Sequence, residues 1–184
     1  MNKNISYTDL DLIELCIAGQ EMGYSKLYEK YVKQIYNTIY RLVVDEIVTE
    51  ELTQELFISI FSDVQKLKEV NFLGSWFKKV AINKALSHLR KKKINFSEID
   101  NVADLVDDDL SDEINYKDAK AAEILQLIEQ QSAENRTILN LFLFENMSHE
   151  EIGKTLGISS NTVRSKYHRA KKKIVESLQM QCYE

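Results

Sequence analysis

The sequence predicts an all-α protein: two helical domains joined by an acidic flexible linker. Three observations carry that expectation. The 184 residues include no proline and only five glycines, so the chain favours long helices with polar caps and lacks the glycine-rich turns that all-β and dinucleotide-binding folds need. Apolar side chains recur at three- and four-residue spacing through most of the chain, the period of a helix with one buried face. Between residues 94 and 116 that period stops. Glu98, Asp100, Asp104, Asp107, Asp108, Asp109, Asp112 and Glu113 follow one another there with no basic residue among them, and like charges at that density extend a chain. The domains are therefore read as 1–93 and 117–184, with 94–116 as the linker, and the length leaves room for no more.

Each element has its own signal. Thr8-Asp9-Leu10-Asp11 resembles a capping box and opens a first helix with Leu12, Ile13, Cys16 and Ile17 on one face. A second helix from about Tyr24 shows the stripe Tyr24, Leu27, Tyr28, Tyr31, Ile35, Ile39, read as core. A third, roughly Glu46 to Val64, turns Leu52, Leu56, Phe57, Ile60 and Phe61 inward and collects Glu50, Glu51, Gln54 and Glu55 on its other face. A polar link, 65–71, leads to a fourth helix from about Phe72 to Lys92, which buries Phe77, Val80, Ala81, Leu86 and Leu89 and exposes a basic side. In the second domain a helix with Ile124, Leu125 and Ile128 precedes one capped by Ser132 and carrying Ile138, Leu139, Leu141, Phe142 and Leu143. Ser148 and Glu151 form a second capping box, Leu156-Gly157-Ile158 closes that short helix, and a last helix runs from Ser159 or Ser160 towards Leu178.

Composition excludes several classes of function. A hydrophobic fraction of 44% is ordinary for a globular protein, no apolar run approaches the ~20 residues of a membrane span, and the first residues lack the apolar core of a signal peptide, so the expected location is the cytoplasm. Cys16 and Cys182 lie at opposite ends and match no metal or redox spacing; Cys16, among Leu12, Ile13 and Ile17, reads as a small core residue. His88, His149 and His168 are scattered, and no Ser/His/Asp or glycine-rich phosphate signature occurs. No enzyme activity, metal, cofactor or small-molecule substrate is expected.

Charge points elsewhere. The formal net charge is −5, yet residues 72–95 and 154–173 each hold seven basic residues and no acid. Fourteen of the 24 Lys and Arg thus sit in two stretches, while the rest of the chain sets ten against 29 acids. That segregation suits contact with phosphate in two places and with basic protein surfaces elsewhere. Residues 148–173 read as a helix-turn-helix of winged-helix-like kind: a capped short helix, a Leu-Gly-Ile turn and a long basic helix whose N-terminal end would face base edges in the major groove. Ser160, Asn161 and Thr162 offer short hydrogen-bonding groups and a positive helix end there. Val163, Tyr167 and Ala170 fall on the inward face; Arg164, Ser165, Lys166, His168 and Arg169 fall outside, within reach of bases or backbone.

These stretches resemble a known family. Residues 147–173 closely resemble the promoter −35 reader of extracytoplasmic-function sigma factors. Asp11-Leu12-Ile13, Ala18-Gly19, Leu27-Tyr28 and Tyr31 look like the family's opening helices, Thr49 to Phe57 like its polymerase-binding segment, and Trp76 to Ala85 with Leu89-Arg90 like its −10 reader. The likeness covers about residues 9–93 and 118–176 in family order. It implies that Glu50, Glu51, Gln54 and Glu55 dock on the β′ clamp helices of core RNA polymerase, with the β flap as a further polymerase contact. It implies that Trp76, Lys79 and Asn83, with the preceding 65–71 segment, engage the −10 element as it melts, where rings and amides hold unpaired bases. Arg90 to Lys93 would meet duplex phosphate, and the resemblance implies an anti-sigma factor as a further partner. The acidic linker reads equally as an RNA mimic in a basic channel or as a plain tether. The sequence departs from the family at Gln131-Ser132-Ala133, where Leu-Pro is usual, in the spacing of Phe72 to Ser75 before Trp76, and at Glu51, where Asp is commoner.

Two other readings stay open at this point. A free-standing helix-turn-helix repressor or response regulator accounts for residues 148–173 but leaves the first basic stretch idle. An adaptor that binds only polymerase leaves both idle.

Overall fold

The structure, a computed structural model, describes residues 7–92 and 121–181. The chain divides into two compact units between Lys92 and Lys93. Lys93, the linker at 94–116, the expected domain start at 117 and Cys182 lie outside the described residues.

The first unit runs α1 (Asp9–Ile17), α2 (Glu21–Val43), α3 (Glu46–Ser62), a 3-10 helix (Val64–Glu69) and α4 (Leu73–Lys91). The capping box at α1 is formed: the Asp11 carboxylate accepts from the Thr8 backbone N–H at 2.8 Å and from its hydroxyl at 2.7 Å. Gly23 lets α1 and α2 cross closely, since a Cβ there would lie 2.7 Å from the Cys16 nitrogen and the Leu15 Cβ. At its far end α2 stops on Val44, whose φ of 53° is left-handed, an uncommon conformation for a β-branched residue. Asp45 then caps α3 by accepting from the Val48 N–H at 3.1 Å.

The core is built around α2, whose Leu27, Ile35 and Ile39 are fully buried with Leu56 of α3 and Phe77, Ala81, Ala85 and Leu86 of α4. Burying a ring such as Phe77 contributes on the order of 2–3 kcal/mol. Its ring packs 4.6 Å from Tyr31, and Gln34 donates to the Gly74 carbonyl at 3.1 Å, fixing the start of α4 against α2.

Three expectations are corrected here. α2 starts at Glu21, three residues before the expected start near Tyr24, with Gln20 at its N-cap. α3 ends at Ser62, and the expected polar link is for the most part the 3-10 helix. Val64 and Leu67, three apart and so aligned on a 3-10 turn, are both buried, and that apolar pair draws the segment onto the core. Within the α2 stripe, Tyr28 is exposed and Tyr24 half-buried, its hydroxyl donating to the Cys16 carbonyl at 2.7 Å.

The second unit runs α5 (Ala121–Glu129), α6 (Ala133–Leu143), α7 (His149–Leu156) and α8 (Ser160–Gln181). Ser132 caps α6 as its sequence implied, accepting from the Asn135 N–H at 3.4 Å. Asn146 takes the left-handed turn between α6 and α7 that asparagine tolerates. Ile138, Leu139, Leu141, Ile152, Val163 and Ala170 are buried to 1% exposure or less and form the centre. All regular structure among the described residues is helical, and no strand there forms a wing.

Candidate nucleic-acid interface

The helix-turn-helix is held by caps at both ends of its first helix. The Glu151 carboxylate accepts from the Ser148 N–H and hydroxyl, each at 2.8 Å, and these bonds hold its carboxyl below the usual carboxylate range. At the other end Gly157 sits at φ 77°, and the Gly153 carbonyl accepts from both the Gly157 and Ile158 N–H groups at 2.8 and 3.0 Å. Gly153 is itself required: a Cβ there would stand 2.7 Å from the Ile158 carbonyl oxygen. Ser159 caps α8, its hydroxyl accepting from the Thr162 N–H at 3.1 Å.

This frame sets what α8 presents. Asn161, Arg164 and His168, spaced three and four apart, are exposed on one stripe, with Arg169 beside them donating to Ser165 Oγ at 3.1 Å. Ser160 and Ser165 are half-buried, as is Thr162, whose hydroxyl lies 2.8 Å from that of Ser159. One assignment is overturned. Lys166 is not on the outer face: only 5% of its side chain is exposed, and its ammonium meets Glu134 of α6 at 2.8 Å. Positions 163, 166, 170 and 174 are three and four apart and all buried, so a lysine at 166 belongs to the inward stripe and needs an acid there. Tyr167 is half-buried instead, 4.5 Å from the Phe142 ring and 5.4 Å from His149. His149 stacks on Phe142 at 4.8 Å and 16°, with Nε2 buried; burial, then Arg164 and His168, push its pKa down.

In the first unit, Lys79, Asn83, Arg90 and Lys91 of α4 are exposed, and Trp76 is half-buried with its ring edge-on to Phe77 at 5.6 Å. Glu50, Glu51, Gln54 and Glu55 are all exposed on α3, while Thr49, Leu52, Thr53, Leu56 and Phe57 are buried beneath them. The structure also joins the two faces. Lys84 of α4 pairs with Glu55 of α3 at 2.7 Å, and that contact first, with Lys91 and His88 adding to it, holds the Glu55 carboxyl below its ordinary range.

Sequence reasoning passed over several residues on these faces. Ile47 and Ile58 are 72% and 69% exposed, and with Glu51 and Gln54 they make a stripe at spacings of four, three and four. They were detectable as the isoleucines out of phase with the buried side of α3. Phe72 is 78% exposed, one position ahead of α4 and four before Trp76. The role of Gly153 has no sequence signal, because it depends on the path of the following turn. Among the described residues no group of three His, Cys, Asp or Glu side chains is placed to hold a metal, and no helix is long and apolar enough to cross a membrane.

Residues 27–94 match the family model for Sigma-70 region 2, and residues 121–174 match that for Sigma-70, region 4. The ECF RNA polymerase sigma factor SigE of Mycolicibacterium smegmatis is 30% identical over 125 residues, covering 66% of this chain and 48% of SigE. The RNA polymerase sigma factor SigV of Bacillus subtilis is 31% identical over 112 residues, covering 60% of this chain and 64% of SigV. The chain thus spans about half of one relative and under two thirds of the other. In fold it resembles the sigma factor RpoE in its co-crystal structure with the anti-sigma factor NepR from Bartonella quintana, with a TM-score of 0.52 at 17% identity over 85% of this chain and 96% of that one. With the two region models matched in order on the two helical units, and RNA polymerase sigma factors among its relatives at 30 and 31% identity, the chain belongs to the sigma-70 family.

Proposed function

We propose that this chain directs core RNA polymerase to specific promoters and assists strand opening, acting in the cytoplasm as an initiation factor without catalysis of its own. The observation that supports this best is the exposed Asn161, Arg164, His168 stripe of α8, set behind a helix capped at both ends. Its side chains are the hydrogen-bonding and cationic types that read base edges and phosphates at −35. Asn161, Arg164, Ser165, His168 and Arg169 carry the contact, with Ser160 and Thr162 at the helix end; Lys166 serves the fold.

In the first unit, Lys79, Asn83, Arg90 and Lys91 face the −10 region, and Trp76 contributes its exposed edge. Glu50, Glu51, Gln54 and Glu55 dock on a basic helical surface, the β′ clamp helices, with the β flap as the second polymerase contact. An anti-sigma factor is the proposed restraint. RpoE of Bartonella quintana was solved with NepR, and CnrH with the cytosolic domain of CnrY; this chain carries comparable helical units to cover.

The test is the affinity of the purified chain for sigma-free core polymerase, with and without a competing primary sigma factor. Tight, competitive binding is the expected result. Arg164→Ala then lowers promoter-specific initiation while sparing polymerase binding, and Gln54→Ala with Glu55→Ala weakens polymerase binding. No polymerase binding, together with tight binding of an operator-like duplex by the chain alone, assigns it instead to free-standing helix-turn-helix regulators.

A further inference from the structure

The two faces of the first unit meet at an ion pair. Lys84 and Glu55 stand on different helices, α4 and α3, with Nζ 2.7 Å from the carboxylate. Lys84 follows the exposed Asn83 directly and keeps a third of its side chain in solvent, while Glu55 is 61% exposed. Glu55 is thus open to an incoming partner from one side and holds a cation of the DNA-facing helix on the other. While the pair is closed, Lys84 brings no net charge to a phosphate, and the carboxylate beside it repels one.

We propose that Lys84 is a DNA-backbone contact masked by Glu55, and that a basic protein surface docking on α3 takes over Glu55 and unmasks it. The inference rests on the functional reading above and deepens it. An exposed ion pair is worth so little that exchanging Glu55 between an internal and an external cation is nearly balanced. The coupling is reciprocal: whatever factor polymerase adds to DNA affinity, DNA adds to polymerase affinity.

The experiment uses the full chain and a fluorescein-labelled single-stranded oligonucleotide, with binding followed by anisotropy across a salt series at low ionic strength. Glu55→Gln is expected to tighten DNA binding about two- to five-fold, equivalent to about 0.4–1 kcal/mol, and to steepen the salt dependence by about 0.7, one phosphate contact's worth. In a Lys84→Gln background the same Glu55→Gln change alters nothing, because there is no masked cation to release. Lys84→Gln alone tightens core polymerase binding by a similar two- to five-fold, since Glu55 no longer has an internal partner. Unchanged affinity and salt slope for Glu55→Gln overturn the proposal. So does a gain that persists in the Lys84→Gln background, which would reflect only general charge. Wild-type chain that fails to bind core polymerase removes the functional reading and this inference together; normal polymerase binding without the Glu55–Lys84 coupling removes this inference alone.

Discussion

Replacing Gly153 by alanine tests whether the helix-turn-helix depends on a close backbone approach. The added Cβ would stand 2.7 Å from the Ile158 carbonyl oxygen, 3.3 Å from the Ser160 nitrogen and 3.5 Å from the Ser159 carbonyl carbon. All three are main-chain atoms of the turn that sets α8, so no side chain can swing aside to make room. The strain falls on the turn that the bonds from Gly157 and Ile158 to the Gly153 carbonyl close. Overpacking of this kind costs about 1–3 kcal/mol. At roughly 4–8 °C per kcal/mol for a domain of this size, about 2 kcal/mol lowers the melting temperature of the second unit by on the order of 10 °C. Gly157→Asn is the matched control: nothing lies within 4 Å of a Cβ there, and asparagine tolerates the φ of 77°, so its effect should stay within a few degrees. Thermal unfolding of the full chain, followed by circular dichroism, measures both, and polymerase binding through the first unit should survive Gly153→Ala. A Gly153→Ala protein that melts with wild type, or a Gly157→Asn protein that melts lower than Gly153→Ala, refutes the reasoning.

Three further outcomes follow from the same structure. Ile47→Asp removes a 72% exposed isoleucine from the first turn of α3, where an acid suits the helix dipole; the fold should keep its stability, while affinity for core polymerase falls at least about tenfold if Ile47 is an apolar anchor, and unchanged affinity in a pull-down titration removes it from the interface. Lys166→Ala removes a largely buried ion pair, the 2.8 Å contact with Glu134, so it should destabilise the second unit by about 3 kcal/mol, whereas Arg164→Ala lowers promoter initiation with its melting temperature intact; equal thermal effects would return Lys166 to the outer face. His149 has its pKa lowered by burial, then by Arg164 and His168. Its penalty is absent above the unfolded value of about 6.5 and grows as pH falls through it, because the unfolded chain takes the proton first. The second unit should lose stability as pH falls below about 6.5, and His149→Phe should flatten that limb in urea denaturation measured at each pH.

Much of the architecture was legible because single residues declared it. Thr8 with Asp11, Ser148 with Glu151, Ser132 and Gly157 each mark a helix end by chemistry that depends only on neighbours in sequence, and each holds the end it marked. The segment after α3 was misread because a polar composition hides a two-residue apolar anchor: Val64 and Leu67 decide its conformation, and four polar neighbours do not. Lys166 was misread for the opposite reason. Its charge argued for solvent, and only the tertiary position of Glu134 on α6 shows that the inward stripe can take a cation. The exposure of Asn161, Arg164 and His168 along one stripe of α8 was readable from helical phase. The meeting of Glu55 with Lys84 was not, since 29 residues separate them and the helix crossing alone brings them to 2.7 Å.

The burial of Cys16 turns a structural residue into a reporter. Its thiol is 1% exposed on α1 against α2, and burial raises its pKa, so the closed protein offers a reagent neither access nor thiolate. Alkylation at Cys16 must wait for α1 to leave α2, and its rate in excess reagent counts those openings. Mass spectrometry separates this site from Cys182 by peptide. The native sequence therefore carries a clock for the first unit, readable without a label, that runs slower when anything clamps α1 and α2 together.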